Sequence, residues 1–443
     1  MKKNNLSRRD FLKNASLASG LLILPGSAFA QEKKPSANDK VNVACVGVGG
    51  MGEGDMNGVA ATGANIVAVC DVDSRRLAKA KEKYPNAETF SDYRVMFDKM
   101  GKKIDAVTVS TPDHTHFTVS MTAMMMGKHV YVQKPMAHTV DQARRMTKAA
   151  ADNKIVSQMG NQGHSQTHIR VAKEWYEASL LGDIAEVHSW SDRPIWPQGM
   201  DKFQPEAPVP EYLDWDLWLG PTKKRPYSPK VAPFDWRGYY EFGCGALGDM
   251  AVHIIDPAYY ILDLGAPTKV EVEVLGKSPI AFPNSSKLTY HFPAKGKRGP
   301  VKVIWQDGRN STPKAPEGVE KLDANGSLLI GSKATAIMGG WGNSFNIAGA
   351  GKFEELREKA PPVKYPRIRG SHYKNWIDAI RNNTQSSSDF SYAGPFTEMV
   401  LLGVIAQRVG KTLEWDAKSG KFTNNAEANT LLVAPPSREG FLA

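Results

Sequence analysis

Three side chains that can transfer a proton or stabilise a negative oxygen stand out in this sequence: Lys134, Asp249 and His253. Lys134 directly follows an apolar run, which predicts that it lies at the carboxyl end of a strand. Asp249 and His253 are four residues apart, and a helix would place both on one face. A histidine can accept a proton near neutral pH, and a lysine cation can stabilise an alkoxide. Asp249 would either contact a substrate hydroxyl or orient the imidazole, and both roles stay open.

A glycine-rich turn near the start of the chain predicts a nucleotide site. The apolar run 41–46 leads into G-x-G-x-x-G at residues 47–52, and a second apolar run, 66–70, is followed by an acid. This order of strand, turn, helix, strand and acid is the dinucleotide-binding fingerprint in its required context. The helix N-terminus offers free N–H groups to the phosphates. The contacts predicted here are Gly47, Gly49, Gly50, Met51 and Gly52.

The acid after the second apolar run, Asp71, predicts the kind of dinucleotide. It lies 24 residues after Gly47 and can accept hydrogen bonds from the ribose hydroxyls. A carboxylate there repels a 2′-phosphate, so NAD is favoured over NADP. Arg75 and Arg76 follow closely, and they could stack on adenine, meet a 2′-phosphate or lie on a solvated helix face. Arg75 is included among the predicted cofactor contacts.

Strand and helix patterns alternate through residues 41–158, which predicts a doubly wound parallel sheet, the Rossmann fold. Apolar strands are expected at 104–110, 129–133 and 155–159. Polar residues follow the fourth and fifth strands, at the edge where such sheets bind ligands. The cofactor contacts predicted at this edge are Ser110, Thr111, Pro112, His116, Gln133 and Lys134.

Residues 159–443 predict a second domain of α+β type with a large open mixed sheet. Strand-like runs recur at 185–191, 269–275, 286–292, 301–306, 327–330 and 334–338. Five of the ten tryptophans lie between residues 190 and 240, which indicates an ordered loop. Their rings would stack on sugar rings, or form loop core or an oligomer interface. The predicted substrate contacts are Asn161, Gln162, His164, Arg193, Trp196, Trp236 and Arg237.

The first 30 residues predict an export signal, followed by a leader at 31–40. Ser7-Arg8-Arg9-Asp10-Phe11 resembles a twin-arginine motif, a short apolar stretch follows, and Ala28-Phe29-Ala30 suits signal cleavage. A periplasmic location is therefore expected. No other segment is apolar enough to span a membrane. A net charge of +10, partly carried by this leading segment and without a basic block, argues against a nucleic-acid partner.

The three cysteines, Cys45, Cys70 and Cys244, are an odd number for an oxidising compartment. Cys45 and Cys70 fall in the first two predicted strands, where a bridge between them is the alternative to free thiols. We interpret all three as buried thiols. The spacing of cysteines and histidines suggests no metal site.

Four motifs together resemble the glucose–fructose oxidoreductase, inositol dehydrogenase and rhizopine catabolism family, Gfo/Idh/MocA. They are the glycine fingerprint, the strand ending in Thr111-Pro112, the Lys134-Pro135 pair and the Asp249-x-x-x-His253 segment. The resemblance covers essentially the whole chain after the export signal. It implies a Rossmann domain followed by an open-sheet α/β domain, with the substrate between the nicotinamide and the second domain's sheet. It also implies that Lys134 and His253 are the catalytic pair, the histidine taking the hydroxyl proton as hydride leaves the carbon.

The family usually has glutamate where this chain has Gln133, and the loss of that acid would re-tune the cofactor contacts. The leading hypothesis is an exported NAD-dependent oxidoreductase of a sugar, glycoside or polyol, with a tightly held cofactor. The resemblance also implies an alternative, NAD-dependent glycoside hydrolysis through transient C3 oxidation, with an added base near Tyr239 and Tyr240. A dinucleotide-loaded sensor is disfavoured by the intact lysine and Asp–His pair. A homodimer or homotetramer is expected from the resemblance.

Overall fold

The computed structural model describes residues 40–203 and 205–442. The predicted export signal and nearly all of the predicted leader lie outside these residues. In the described chain the first domain is a parallel sheet with strand order β3-β2-β1-β4-β5-β6, the doubly wound order that the sequence predicted. Its strands are β1 (Asn42–Val46), β2 (Asn65–Cys70), β3 (Glu88–Phe90), β4 (Ala106–Val109), β5 (His129–Val132) and β6 (Ser157–Met159).

Helices connect these strands and cover the sheet. They are α1 (Met51–Ala60), α2 (Ser74–Lys83), α3 (Tyr93–Met100), α4 (Asp113–Met125) and α5 (Val140–Asp152). Asp73, Asp92 and Thr139 cap three of them by accepting from a first-turn N–H. Helix α4 begins directly after Pro112, which occupies its N-cap position. His116 is therefore inside the helix.

The second domain contains a mixed sheet with strand order β13-β12-β11-β7-β10-β9-β8-β14-β15 in the described residues. Strands β7 and β10 pair in parallel, and the other pairs are antiparallel. The strands are β7 (Ile184–Ser191), β8 (Lys269–Leu275), β9 (Ser285–Phe292), β10 (Val301–Asp307), β11 (Asn325–Gly331), β12 (Thr335–Gly339), β13 (Phe345–Ile347), β14 (Leu413–Asp416) and β15 (Lys421–Phe422). The last three were not predicted, because runs of two to four residues carry little alternating pattern.

The helices of the second domain include two that pack against the first domain. They are α6 (Thr167–Glu177), α7 (Trp215–Leu219), α8 (Val252–Ile254), α9 (Asp256–Ile261), α10 (Lys352–Glu358), α11 (His372–Asn382), α12 (Phe390–Val409) and α13 (Ala426–Thr430). The two are α11 and α12; helix α12 packs on α5, and one apolar cluster contains side chains from both sheets. The two domains therefore share a core, which fixes the loops at their junction.

Three further features bear on the sequence analysis. Cys45, Cys70 and Cys244 are buried free thiols, as interpreted. Within residues 40–203 and 205–442, no helix has the length and apolar character needed to cross a membrane. The same residues contain no group of three or more His, Cys, Asp or Glu side chains arranged to hold a metal ion.

Candidate active site

Lys134 lies in a buried group of charged side chains drawn from both domains. Its Nζ is 2.5 Å from Oδ1 of Asp249, and Arg237 approaches the same oxygen with Nε at 3.5 Å. Arg237 also donates from Nη1 to Asp113 at 3.0 Å. We call these four residues the charged cluster. Burial raises the pKa of Asp249, but the charges of Lys134 and Arg237 outweigh it and hold that pKa well below its ordinary value.

His253 lies beside the charged cluster. Its ring is buried, and Nδ1 has no hydrogen-bond partner in the described chain. Burial, followed by the charge of Lys134, lowers the pKa of His253 to about 3. The imidazole is therefore neutral at physiological pH, and its Nδ1 keeps a free position for a ligand in the described chain.

Trp341 is a residue of this site that the sequence analysis missed. Its ring centroid is 6.3 Å from that of His253, and the residue is 41% exposed. It lies in the turn between β12 and β13, and a Cβ on Gly163 would be 2.0 Å from its carbonyl oxygen. The turn is thus pressed against the loop after β6. The flanking glycines of Gly339-Gly340-Trp341-Gly342 were the one available signal.

The helix that carries Asp249 and His253 is not a regular α-helix. Leu247–Ala251 forms a π-helical turn that continues into α8. Such turns contain one extra residue and are frequent at functional sites. Asp249 contacts Lys134 directly, and His253 is close enough for the lysine charge to lower its pKa.

The glycine-rich turn forms a cradle that larger residues would fill. Gly47 has φ +78°, and a Cβ there would lie 2.5 Å from the carbonyl oxygen of Ser110. A Cβ on Gly52 would lie 2.0 Å from the carbonyl oxygen of Gly47. The N-terminus of α1, at Gly50-Met51, has no side-chain cap, so backbone N–H groups at this end remain for an anion. The cradle fits the pyrophosphate of a dinucleotide.

Asp71 lies beside this turn and is nearly buried. Its carboxylate accepts from the backbone N–H groups of Val48 and Asp73, each at 2.9 Å. These bonds fix its orientation, and each carboxylate oxygen keeps a further acceptor position for a ribose hydroxyl. The residue therefore fits the role that the sequence predicted.

The two arginines after Asp71 have different positions. The Arg75 guanidinium is 3.3 Å from the Tyr212 ring centroid and pairs with Asp73 at 2.8 Å. Arg76 lies on the glycine-rich turn instead, since a Cβ on Gly49 would be 2.3 Å from its Cδ. Of the two, Arg76 is thus the one that touches the dinucleotide turn.

Two models of one protein family match most of the described chain. Residues 41–161 match the oxidoreductase family, NAD-binding Rossmann fold, and residues 171–316 match the oxidoreductase family, C-terminal alpha/beta domain. This chain belongs to the Gfo/Idh/MocA oxidoreductase family. Its first domain is an NAD-binding Rossmann domain, in agreement with the fingerprint.

Named relatives match parts of the chain. Levoglucosan dehydrogenase of Pseudarthrobacter phenanthrenivorans is 24% identical over 238 residues, which are 53% of this chain and 52% of that protein. A glycosyl hydrolase family 109 protein of Shewanella pealeana is 29% identical over 211 residues, 41% of this chain and 46% of that protein. The chain thus spans about half the length of these curated relatives.

Solved structures show the same fold. The WlbA dehydrogenase from Bordetella pertussis, in complex with NADH and UDP-GlcNAcA, superposes with a TM-score of 0.61 at 19% identity. The match covers 86% of this chain and 99% of that one. At this identity the likeness concerns the architecture of the two domains.

Gln133 of this Gfo/Idh/MocA member is bound to a buried acid that the sequence analysis missed. Its Nε2 donates to both oxygens of Asp55, at 3.0 and 2.9 Å. The hydroxyls of Ser110 and Tyr373 donate to the same carboxyl group at 2.6 and 2.9 Å. Burial raises the pKa of Asp55 although these donors oppose the shift. Where the resemblance implied a glutamate, Gln133 thus contacts a carboxyl group from α1.

His116 connects two loops from inside the fold. Its Nδ1 and Nε2 lie 2.8 Å from the carbonyl oxygens of Pro135 and Thr111. The ring therefore ties the loop after β4 to the loop that carries Lys134. Thr111 Oγ1 is buried and has no partner among the described residues, so it remains for a ligand at the start of α4, beside Pro112.

The predicted substrate contacts after β6 have distinct surroundings. Asn161 is buried, and its Nδ2 has no partner in the described chain. Gln162 donates to the hydroxyl of Tyr131 at 3.2 Å. His164 is buried with its Nδ1 2.9 Å from Asp256. Of the three, Asn161 is the residue with an unused donor.

The tryptophan-rich loop contributes to the site through Arg237. Its guanidinium is 4.2 Å from the Trp236 ring centroid and 5.7 Å from that of Trp196. These two rings therefore flank the charged cluster, where Trp196 is buried and Trp236 is half-buried. Arg193, at the end of β7, pairs with Asp192 at 3.1 Å.

Tyr239 and Tyr240 do not have the surroundings of a general base. The hydroxyl of Tyr239 donates to the carbonyl oxygen of Lys230 at 3.4 Å. Burial raises the pKa of Tyr240 to about 12. Both rings are buried, so neither supplies an accessible phenolate near neutral pH.

Proposed function

We propose that this protein is an NAD-dependent oxidoreductase that transfers hydride between nicotinamide and a hydroxyl-bearing carbon of a sugar, glycoside or polyol. The proposal rests on one observation: the contact of Lys134 with Asp249, beside a neutral His253, where a dinucleotide-binding domain meets its partner domain. The relative named levoglucosan dehydrogenase and the neighbour bound to UDP-GlcNAcA support a carbohydrate substrate.

Each side chain has a defined role in this chemistry. Bound NAD supplies a hydride acceptor. Lys134 donates a hydrogen bond to the reacting hydroxyl and stabilises the alkoxide that forms. His253 accepts the hydroxyl proton, because its ring is neutral and its Nδ1 has no partner in the described chain. Asp249 holds Lys134 and stays ionised throughout.

The surface beside the charged cluster suits a carbohydrate. Trp341 presents a partly exposed ring near His253, and Trp236 lies against Arg237. Aromatic faces pack on the C–H face of a sugar ring, while the Arg237 guanidinium and Asn161 Nδ2 can donate to its hydroxyls. This mixture of apolar faces and donors supports a ring with several hydroxyl groups.

The test is to identify the bound dinucleotide and then a substrate. Small molecules released from purified protein would be identified by mass, and the NAD-loaded protein would be mixed with sugars, glycosides and polyols. A rise in NADH absorbance with one class is expected, and Lys134→Ala should abolish it. Lys148→Ala, an exposed lysine on α5, is the matched control. Failure of the protein to bind any dinucleotide would contradict the proposal.

A second candidate function is NAD-dependent glycoside hydrolysis, which the similarity to the family 109 protein favours. Lys134 and His253 would serve it equally. The buried positions of Tyr239 and Tyr240 do not provide the additional base. Release of aglycone without net NADH formation would distinguish hydrolysis from oxidation.

We also retain the proposals of export, tight cofactor retention and self-association. The twin-arginine sequence at Arg8-Arg9 supports export, and joint substitution of both by lysine should leave the protein in the cytoplasmic fraction. Dialysis that removes all dinucleotide would contradict retention.

Light scattering is expected to give a dimer or tetramer, and a monomer at working concentration would contradict the proposed self-association.

A further inference from the structure

A segment of the second domain lies on the edge of the Rossmann sheet. We call residues 212–220 the crossing segment. Its first part pairs with the loop after β2: the N–H of Ser74 donates to the Tyr212 carbonyl, and the N–H of Asp214 donates to the Val72 carbonyl, each at 2.9 Å. These bonds form a short antiparallel bridge. The crossing segment thus begins beside the ribose-binding position.

The last part of the crossing segment lies on the first turn of α4. His114 Nε2 is 3.0 Å from the carbonyl oxygen of Trp218. A Cβ on Gly220 would lie 2.8 Å from the methyl carbon of Thr115. Strand β1 lies between β2 and β4 in the sheet. The crossing segment therefore passes the carboxyl end of β1, where the glycine-rich turn holds the pyrophosphate.

An open pocket lies beside the beginning of this segment, between it and the Rossmann domain. Its volume is about 580 Å³, which is large enough for an adenosine. Its lining includes Asp71, Leu77 and Ser91 from the first domain and Glu211, Tyr212 and Trp215 from the second. Because Asp71 is the ribose acceptor, the adenosine half of NAD would be adjacent to this cavity.

The end of the chain anchors the crossing segment from outside. Arg438 donates to the Asp216 carboxylate at 2.6 Å, to its carbonyl at 2.7 Å and to the Gly220 carbonyl at 2.9 Å. Arg94 of α3 donates in turn to the carbonyl of Gly440 at 3.0 Å. The crossing segment is therefore also linked to the first domain through Arg438, which binds Asp216 in the middle of the segment.

We propose that the crossing segment forms the outer wall of the adenosine subsite and slows dinucleotide release. Tyr212 is its key residue, because its ring packs 3.3 Å from the Arg75 guanidinium and lines the cavity. This inference rests on the dinucleotide site of the proposed function and is independent of the sugar chemistry. It gives tight cofactor retention a structural basis.

Binding of the two halves of NAD tests the wall directly. Calorimetry would compare ADP-ribose with nicotinamide mononucleotide on wild type, Tyr212→Ala and the control Tyr176→Ala, a half-buried tyrosine of α6. Tyr212→Ala should weaken ADP-ribose about tenfold, leave the mononucleotide unchanged and raise the NADH dissociation rate by a similar factor in stopped flow. The control should match wild type. Unchanged ADP-ribose affinity and NADH release in folded Tyr212→Ala would overturn the proposal.

Hydrogen exchange on the wild type provides a readout that needs no variant. ADP-ribose should slow exchange of the amides in residues 212–220, and nicotinamide mononucleotide should not. If bound ADP-ribose left the exchange rate of these amides unchanged, the proposal that the crossing segment is the wall of the subsite would be wrong. If wild type bound no ADP-ribose, the dinucleotide site itself would be wrong, whereas absence of sugar oxidation would leave this inference intact.

Discussion

Lys134 Nζ and Asp249 Oδ1 are 2.5 Å apart although the two residues belong to different domains. Lys134 follows β5 of the Rossmann sheet, and Asp249 lies in the π-helical turn of the second domain. The lysine thus has its carboxylate partner only when the domains are packed together. The shared core formed around α12 and α5 is what holds them in that position.

Replacement of Lys134 by methionine should remove the stabilising cation while keeping the length of the side chain. We expect kcat to fall about 10²–10³-fold, the usual effect of losing one oxyanion donor, with little change in NADH affinity. Lys148→Met is the matched control. Steady-state kinetics and NADH titration separate the two effects, and a variant with normal kcat would contradict the assigned role.

His253→Asn should lower kcat about 10²–10⁴-fold by removing the general base. In the wild type, protonation of His253 occurs only near its lowered pKa of about 3. The ring is thus unprotonated above that pH, and kcat/KM of the NAD-loaded enzyme should show no histidine limb between about pH 5 and 8. The contrary result is a pH profile of kcat/KM that falls in acid with a pKa close to the ordinary histidine value, and that loses this fall in the variant. It would show that the site does not lower the pKa of His253.

Trp341→Ala should raise KM for the carbohydrate about tenfold, which corresponds to about 1.4 kcal/mol of lost binding, and change kcat much less. Trp341→Phe should lie between alanine and wild type because it keeps an aromatic face. Leu275→Ala, an exposed apolar residue of β8, serves as the control. Equal KM values in all four proteins would exclude a stacking role.

Gln133→Glu should destabilise the protein by about 1–3 kcal/mol near pH 8, because two carboxyl groups would face each other in a buried site. Like charge raises their folded-state pKa values, so the loss of stability should grow as pH rises and shrink in acid. The double variant Asp55→Asn with Gln133→Glu should recover much of the difference. Urea unfolding at acid and alkaline pH measures the difference in the free energy of unfolding between variant and wild type. A difference that does not change with pH would contradict repulsion between the two carboxyl groups as its cause.

Acid should also weaken the fold through His129. Its Nδ1 accepts from the N–H of Val156 at 3.0 Å, and burial lowers its pKa to about 4. Between that value and the unfolded pKa of about 6.5, the unfolded chain binds the extra proton, so the free energy of unfolding falls as pH decreases. His129→Asn keeps an acceptor that cannot titrate, and should remove on the order of 3 kcal/mol of this dependence. An unchanged stability-versus-pH curve would contradict it.

Much of the first domain could be predicted from the sequence. The glycine fingerprint, Asp71 and the alternating pattern are local signals, and the strand order followed them. Lys134, Asp249 and His253 were identified by residue type and spacing together with the family resemblance, and the structure brings them together. Their meeting itself could not be worked out from spacing, because it depends on packing between domains.

The missed features share one physical cause. Asp55 is buried by Gln133 and Tyr373, whose positions depend on other elements, and Trp341 meets His253 only because its turn presses on the loop at Gly163. The hydrophobic periodicity of a sequence carries no information about such long-range contacts. Helix α12 begins at Phe390, because Asp389 caps it, and Pro395 lies inside the helix.

The π-helical turn at Leu247–Ala251 makes the site sensitive to the length of the chain at one point. Deleting a single residue there would rotate the following helix by about 100°. His253 would then turn away from Lys134, although every residue of the site would still be present. Insertion or deletion of one residue in this turn could thus abolish the reaction or change its substrate in related proteins. A sequence alignment of such proteins would still show every catalytic residue.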